Sequence, residues 1–107
     1  MIRHVVLLQI SGSVDRTECR NVLDAIAKIA SNTPGMLSFA GGANMPGSGL
    51  NQGFTHCFTI DFVDTKARDD YLERLDQDET CWRLTDITVG GLGGILSMNL
   101  DLGDQKS

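Results

Sequence analysis

Few side chains in this sequence can move a proton or attack a bond: the histidines His4 and His56, the single tyrosine Tyr71, and the cysteines Cys19, Cys57 and Cys81. An imidazole titrates near neutrality and so can take or give a proton. A phenol, with an unperturbed pKa of about 10, is a hydrogen-bond donor and a weak base. His4 and His56 lie too far apart for a local HxxxH motif, and no Cys or His flanks either at ligand spacing, so no metal is expected. Cys57 follows His56, but neighbouring strand residues point to opposite faces, which argues against a Cys-His nucleophile pair. Asp76, Asp78 and Glu79 read as the solvated end of a helix, with Asp78 or Glu79 the alternative source of a base. Gly90-Gly91-Leu92-Gly93-Gly94 lacks the Lys and Ser/Thr of a P-loop and reads as a flexible hinge.

These residues sit in a chain of 107 residues, a length that suits one domain, taken as 1–102, with a loose tail over 103–107. Apolar residues make up 41% and charged residues 21%, an ordinary globular balance. Acids outnumber bases 14 to 9, for a net charge of −5, and no basic cluster appears, which argues against nucleic acid and anionic membrane surfaces. No apolar run reaches the length of a membrane span, and no signal peptide is recognisable. Three separated cysteines without a CxxC pair point to free thiols and a cytoplasmic setting.

The elements follow from periodicity. Residues 2–10 form a β-branched strand whose even positions are apolar except His4. Asp15 and Glu18 cap a helix carrying Cys19, Val22, Leu23, Ile26, Ile29 and Ala30 on one stripe, which ends before Pro34-Gly35. Residues 36–44 form a weaker strand in which Gly41-Gly42 suggests a bulge or a close backbone approach. Asn44 to Gly53 is a loop. Residues 54–62 alternate cleanly, with Phe54, His56, Phe58, Ile60 and Phe62 on one face. Asp64 or Thr65 starts a second helix with Ala67, Tyr71 and Leu75 stacked along it, and Cys81, Trp82 and Leu84 suggest a further short helix. Residues 95–102 form the last strand.

The order βαββαβ is the ferredoxin-like arrangement, an α+β fold with a four-stranded antiparallel sheet and helices on one face. Its covered face should be the even set, with Val6, Leu8, Phe54, Phe58 and Ile60. The other face, with Val5, Leu7, Thr55, Cys57, Thr59 and Ser97, is too apolar to be left in water. Packing against a second copy would cover it, so a sheet-to-sheet homodimer is expected. Two histidines on the covered face raise the chance of a polar pocket there, since an unpaired buried imidazole costs roughly 1–3 kcal/mol. The plain reading of each histidine, and of Tyr71 as well, is a satisfied core residue.

The motifs Ile2-Arg3-His4-Val5-Val6-Leu7-Leu8, Pro34-Gly35-Met36, Gly53-Phe54-Thr55-His56, and Phe62-x-Asp64 leading to Tyr71 together resemble the stress-responsive dimeric α/β-barrel (Dabb) family. That family includes olivetolic acid cyclase-like proteins, which work without a metal or cofactor. The resemblance implies catalytic roles for His4, His56 and Tyr71 and a pocket lined by Leu23 and Ile26 between helices and sheet. Periodicity adds Val6 and Phe58 to the same side. Gln77 stands where such cyclases carry a basic histidine, and an amide cannot abstract a proton. The expected function is a homodimeric barrel protein binding a small, largely apolar or aromatic ligand in one cavity. The alternative is a cofactor-independent lyase or cyclase acting on a polyketide-like or aromatic carbonyl compound, with Gln77→His expected to raise its turnover.

Overall fold

Among the described residues, an aspartate begins each of three α-helices. Asp15 Oδ1 accepts the Glu18 N–H at 2.8 Å and starts α1 (Arg16–Ser31). Asp64 Oδ1 accepts the Ala67 N–H at 2.9 Å and starts α2 (Thr65–Asp76). Asp78 Oδ1 accepts both the N–H and the hydroxyl of Thr80, at 2.9 and 2.6 Å, and starts α3 (Glu79–Ile87). Each satisfies backbone donors that a helix start leaves bare. The computed structural model describes residues 1–45, 47 and 49–103. Part of the expected loop over Asn44–Gly53 and the last four residues of the expected tail lie outside the described residues. Gly103, the tail's first residue, is tied down: its carbonyl accepts from the Met1 amine at 2.8 Å.

The strands are β1 (Ile2–Leu8), β2 (Met36–Ala43), β3 (His56–Phe62) and β4 (Ile95–Asp101). They form one antiparallel sheet in the order β2-β3-β1-β4, the ferredoxin-like topology. β1 pairs with β3 so that His4 faces Ile60, Val6 faces Phe58 and Leu8 faces His56. The helices cover this even face, and Val6, Leu8, Phe58, Ile60 and Phe62 are buried beneath them. Val22, Ile26 and Ala30 of α1 and Tyr71 of α2 complete the core. Burying a side chain such as Phe58 or Ile26 stabilises the fold by roughly 1.5–3 kcal/mol.

Of two expectations about backbone irregularity, the one at Gly41-Gly42 is met as a close approach rather than a bulge, and the one at Gly90–Gly94 is corrected. The β2–β3 register shifts between Met36 and Ser38, not at the glycine pair. Gly41 is a close approach instead, because a Cβ there would stand 2.9 Å from Phe58 Cβ. The segment before β4 is not a loose hinge. Residues Gly91–Gly94 form a 3-10 turn, Thr88 donates its hydroxyl to Gly91 O at 2.7 Å, and Gln9 N–H donates to Gly94 O at 2.8 Å.

β4 is placed one face over from the expectation. Leu96, Met98 and Leu100 pair with Leu7, Val5 and Arg3, so they stand on the open face. Ser97 pairs with Val6 and so stands on the helix side, contrary to its expected position. The open face is therefore more apolar than the sequence reading implied. It carries Val5, Leu7, Cys57, Thr59, Leu96 and Met98, and at one end the fork of Arg3 on Asp61 at 2.8 and 3.1 Å. Ser38 adds a hydroxyl to Asp61 Oδ2 at 3.2 Å.

Candidate functional site

His4 sits in the middle of β1 on the helix side and is 4% exposed. Its Nδ1 lies 2.9 Å from Asn99 Oδ1 on the neighbouring β4, the residue paired with it across the sheet. A carbonyl oxygen can only accept, so Nδ1 carries the proton and Nε2 keeps its lone pair. Burial pushes the His4 pKa down; the Asn99 bond opposes this shift and the Arg68 charge adds to it. The imidazole is thus neutral near pH 7, with one nitrogen able to accept a proton.

Tyr71 meets His4 from above. One helical turn after Ala67 on α2, it is fully buried and packs edge-on to His4 with ring centres 5.9 Å apart. Phe62 backs it at 5.5 Å. Its hydroxyl is buried with no hydrogen-bond partner among the described residues. Burial raises its pKa far above the ordinary value, with Cys81 adding to the shift, so it stays a phenol and a donor. Arg68, one turn earlier on α2, pairs with Asp69 at 2.8 Å. Asn99 is exposed on the edge strand, so the His4 end of this site meets solvent at the β4 edge.

The structure does not bring His56 to this pair. Its partner on β1 is Leu8, four residues from His4, which places it about 13 Å away along the sheet. Val6 and Phe58 fill the interval, both buried, with Phe39 stacked on Phe58 at 5.8 Å. Ile26 is fully buried in the same core and Leu23 is half-buried at its margin. The expected single cavity holding both histidines is therefore replaced by two separate surroundings. His56 Nδ1 lies 2.8 Å from Thr55 Oγ1, which itself donates to Leu8 O at 3.2 Å and accepts from the Ile10 N–H at 2.9 Å. With the hydroxyl proton on Leu8, His56 donates from Nδ1. Partial burial lowers its pKa as well.

His56 borders a groove of about 390 Å³ at this end of the sheet, formed by Leu7, Gly42, Cys57 and Leu96 of the open face and by residues of the β2–β3 loop. Gln77, at the position of the missing base, is the exposed C-cap of α2. Asp78, a candidate replacement, is engaged as the cap of α3, and its bonds to Thr80 hold its pKa below the usual carboxylate range. Sequence reasoning missed Asn99 and Arg68. Asn99 follows from the β1–β4 register, which no local pattern announces. No three His, Cys, Asp or Glu side chains gather in a metal-binding group among the described residues. No helix there is long and apolar enough to cross a membrane.

Comparison with known proteins places this geometry. The family model described as "Stress responsive A/B Barrel Domain" matches residues 2–88. No curated protein matches. Among solved structures, a dimeric ferredoxin-like protein of unknown function from Jannaschia sp. CCS1 is similar at 22% identity, with a TM-score of 0.84 over 94% of this chain and 98% of that one. At3g17210 from Arabidopsis thaliana is similar at 20% identity and a TM-score of 0.74 over the whole of both chains. A hydroxynitrile lyase from Passiflora edulis is similar at 15% identity and a TM-score of 0.66, over 99% of this chain and 91% of that one. Likeness at these identities is a likeness of fold.

Proposed function

The chain belongs to the stress responsive A/B barrel domain family, and on that footing we propose that it is a homodimer closed through its open sheet faces, each protomer binding a small, largely apolar molecule that bears an oxygen. Residues 1–102 are its folding unit. The observation that carries the ligand reading is the orphan hydroxyl of Tyr71, a residue whose ring packs edge-on to His4. A buried donor left unpaired costs about 1–3 kcal/mol, and a carbonyl or hydroxyl oxygen entering from the β4 edge would satisfy it. Phe62, which backs the Tyr71 ring at 5.5 Å, and Ile60 opposite His4 make these surroundings apolar. The dimer reading is supported by the exposed Leu96, Met98 and Leu100 on the open face and by neighbours that are themselves dimeric.

The test is calorimetric titration with benzoylacetone, an aromatic β-diketone. Binding should be at least tenfold weaker in Tyr71→Phe, which keeps the ring and loses only the hydroxyl. Equal affinity in the two proteins overturns the site.

A second reading, favoured by the Asn99-held tautomer of His4, is cofactor-independent proton transfer. Nε2 of His4 would take a proton from a carbon activated by a carbonyl, and Tyr71 would hydrogen-bond the resulting oxyanion. A cyclase of the aldol type would use this step, whereas a lyase cleaving a hydroxy compound would have Nε2 take the hydroxyl proton. Turnover that persists in His4→Gln would remove that reading.

A further inference from the structure

Arg68 stands one helical turn before Tyr71 on α2, and residues three apart on a helix share a side. The Tyr71 ring packs edge-on to His4, so Arg68 borders the same site, near enough for its charge to act on the imidazole. Its side chain is 22% exposed. The carboxylate it holds belongs to Asp69, the next residue, which is 60% exposed. Arg68 Nε and Nη2 both donate to Asp69 Oδ1, at 3.1 and 2.8 Å, so this pair leaves Nη1 outside it. An ion pair that reaches water in this way contributes little and is readily exchanged for another.

The elements around His4 bring it no buried acid among the described residues. β4 presents the neutral Asn99, and β3 presents Ile60. Asp101, two residues further along β4, accepts the Gly103 N–H through Oδ1 at 2.8 Å. α2 presents Tyr71, a phenol, with Cys81 of α3 near it. α1 adds the apolar Val22 and Ile26 to the core. Asp61 lies on the opposite face of the sheet, held by Arg3. A neutral oxygen would use the Tyr71 hydroxyl alone. A carboxylate would use that donor, the Arg68 guanidinium and, once protonated, Nε2 of His4. A guanidinium matches a carboxylate in charge and in plane. We infer that the ligand's oxygen belongs to a carboxylate on a small apolar body, with Arg68 the residue that selects the anion over its neutral analogue. This rests on the reading of Tyr71 and His4 as a ligand site. An anion beside the imidazole favours its charged form, against the burial that keeps it neutral. His4 starts neutral near pH 7, so the complex should draw a proton from solution as it forms.

The test is calorimetric titration at pH 7 with cyclohexanecarboxylate and cyclohexanecarboxamide, which share a shape and differ in charge. The carboxylate should bind roughly tenfold more tightly than the amide. Arg68→Met keeps the apolar stem, and it should remove that preference while leaving the amide's affinity unchanged. Arg68→Lys should restore part of it. Carboxylate heats measured in cationic buffers of different ionisation enthalpy should show proton uptake in the parent protein and none in His4→Gln. Equal affinity for acid and amide, both weakened by Tyr71→Phe, overturns the carboxylate and leaves the ligand site standing. So does an unchanged preference for the acid in Arg68→Met, or binding of the acid without proton uptake. Failure of both compounds at millimolar concentration, with benzoylacetone still bound through Tyr71, overturns this inference alone. Failure of all three compounds overturns the ligand site together with it.

Discussion

Asn99 and His4 face each other across the β1–β4 ladder, and the 2.9 Å bond between Oδ1 and Nδ1 fixes which nitrogen of the imidazole is free. Asn99→Asp keeps the shape and places a carboxylate on the same nitrogen. The His4 pKa should then rise by about one unit or more, because an adjacent negative charge favours the imidazolium. Asn99→Ala should cost about 1 kcal/mol, near the low end for a lost hydrogen bond because water reaches the edge strand. Imidazole titration by nuclear magnetic resonance measures the first and chemical denaturation the second. A His4 pKa that is the same in Asn99→Asp as in the parent protein would dismiss the pairing.

Both histidines have folded-state pKa values below the ordinary 6.5, chiefly through desolvation, with the Arg68 charge adding to the effect at His4. The unfolded chain therefore binds protons first as pH falls. Stability from these groups is fully present above about pH 6.5 and is lost as pH drops from there through their lower folded values. Melting temperature should fall between pH 7 and pH 5, and His4→Gln should flatten that fall. Asp61 and Asp78, whose folded pKa values are also depressed, act only below about pH 4 and do not confuse this window.

The adjacent glycines of β2 should respond in opposite ways. Gly41 faces the helix side, where a new Cβ would press on Phe58 Cβ at 2.9 Å and lie 3.5 Å from the Phe39 ring. Gly42 faces open space. Gly41→Ala should therefore lower the melting temperature by several degrees. Gly42→Ala should leave it unchanged or raise it slightly, since it removes backbone freedom from the unfolded chain. Thermal scans of the two variants side by side decide the matter; equal destabilisation would show that the β2–β3 packing differs from that described.

The even face was legible from sequence because strand side chains alternate with a period of two, and Val6, Leu8, Phe58 and Ile60 announce themselves. The same rule could not say which face of β4 turns inward. Leu96, Met98 and Leu100 look like core residues, yet the two main helices do not reach over this edge strand, and its apolar side turns to the open face. Asn99 was illegible for the same reason: its value lies in a register between chain segments nearly the whole sequence apart. The separation of His4 from His56 is also a matter of register, fixed by Leu8 opposite His56. Gly90 to Gly94 read as a hinge because glycine content alone does not show the Thr88 and Gln9 bonds that anchor the turn.

The open face makes the clearest demand on solution behaviour. Leu7 stands near one end of it, half-buried, with Cys57 beside it on β3 and Leu96 on β4. In an isolated protomer an aspartate at this position would reach water, so Leu7→Asp should keep the helical and strand signals of the parent protein. In a sheet-to-sheet dimer the same carboxylate would be buried among apolar groups. The Arg3 fork cannot rescue it, being bound to Asp61 at the far end of the strand. An uncompensated buried charge costs several kcal/mol, enough to shift a dimer strongly toward monomer. Sedimentation velocity should therefore show a dimer for the parent chain and a folded monomer for Leu7→Asp. A Leu7→Asp protein that still sediments as a dimer would place the contact on another surface, and a monomeric parent would leave the open face without a partner of its own kind.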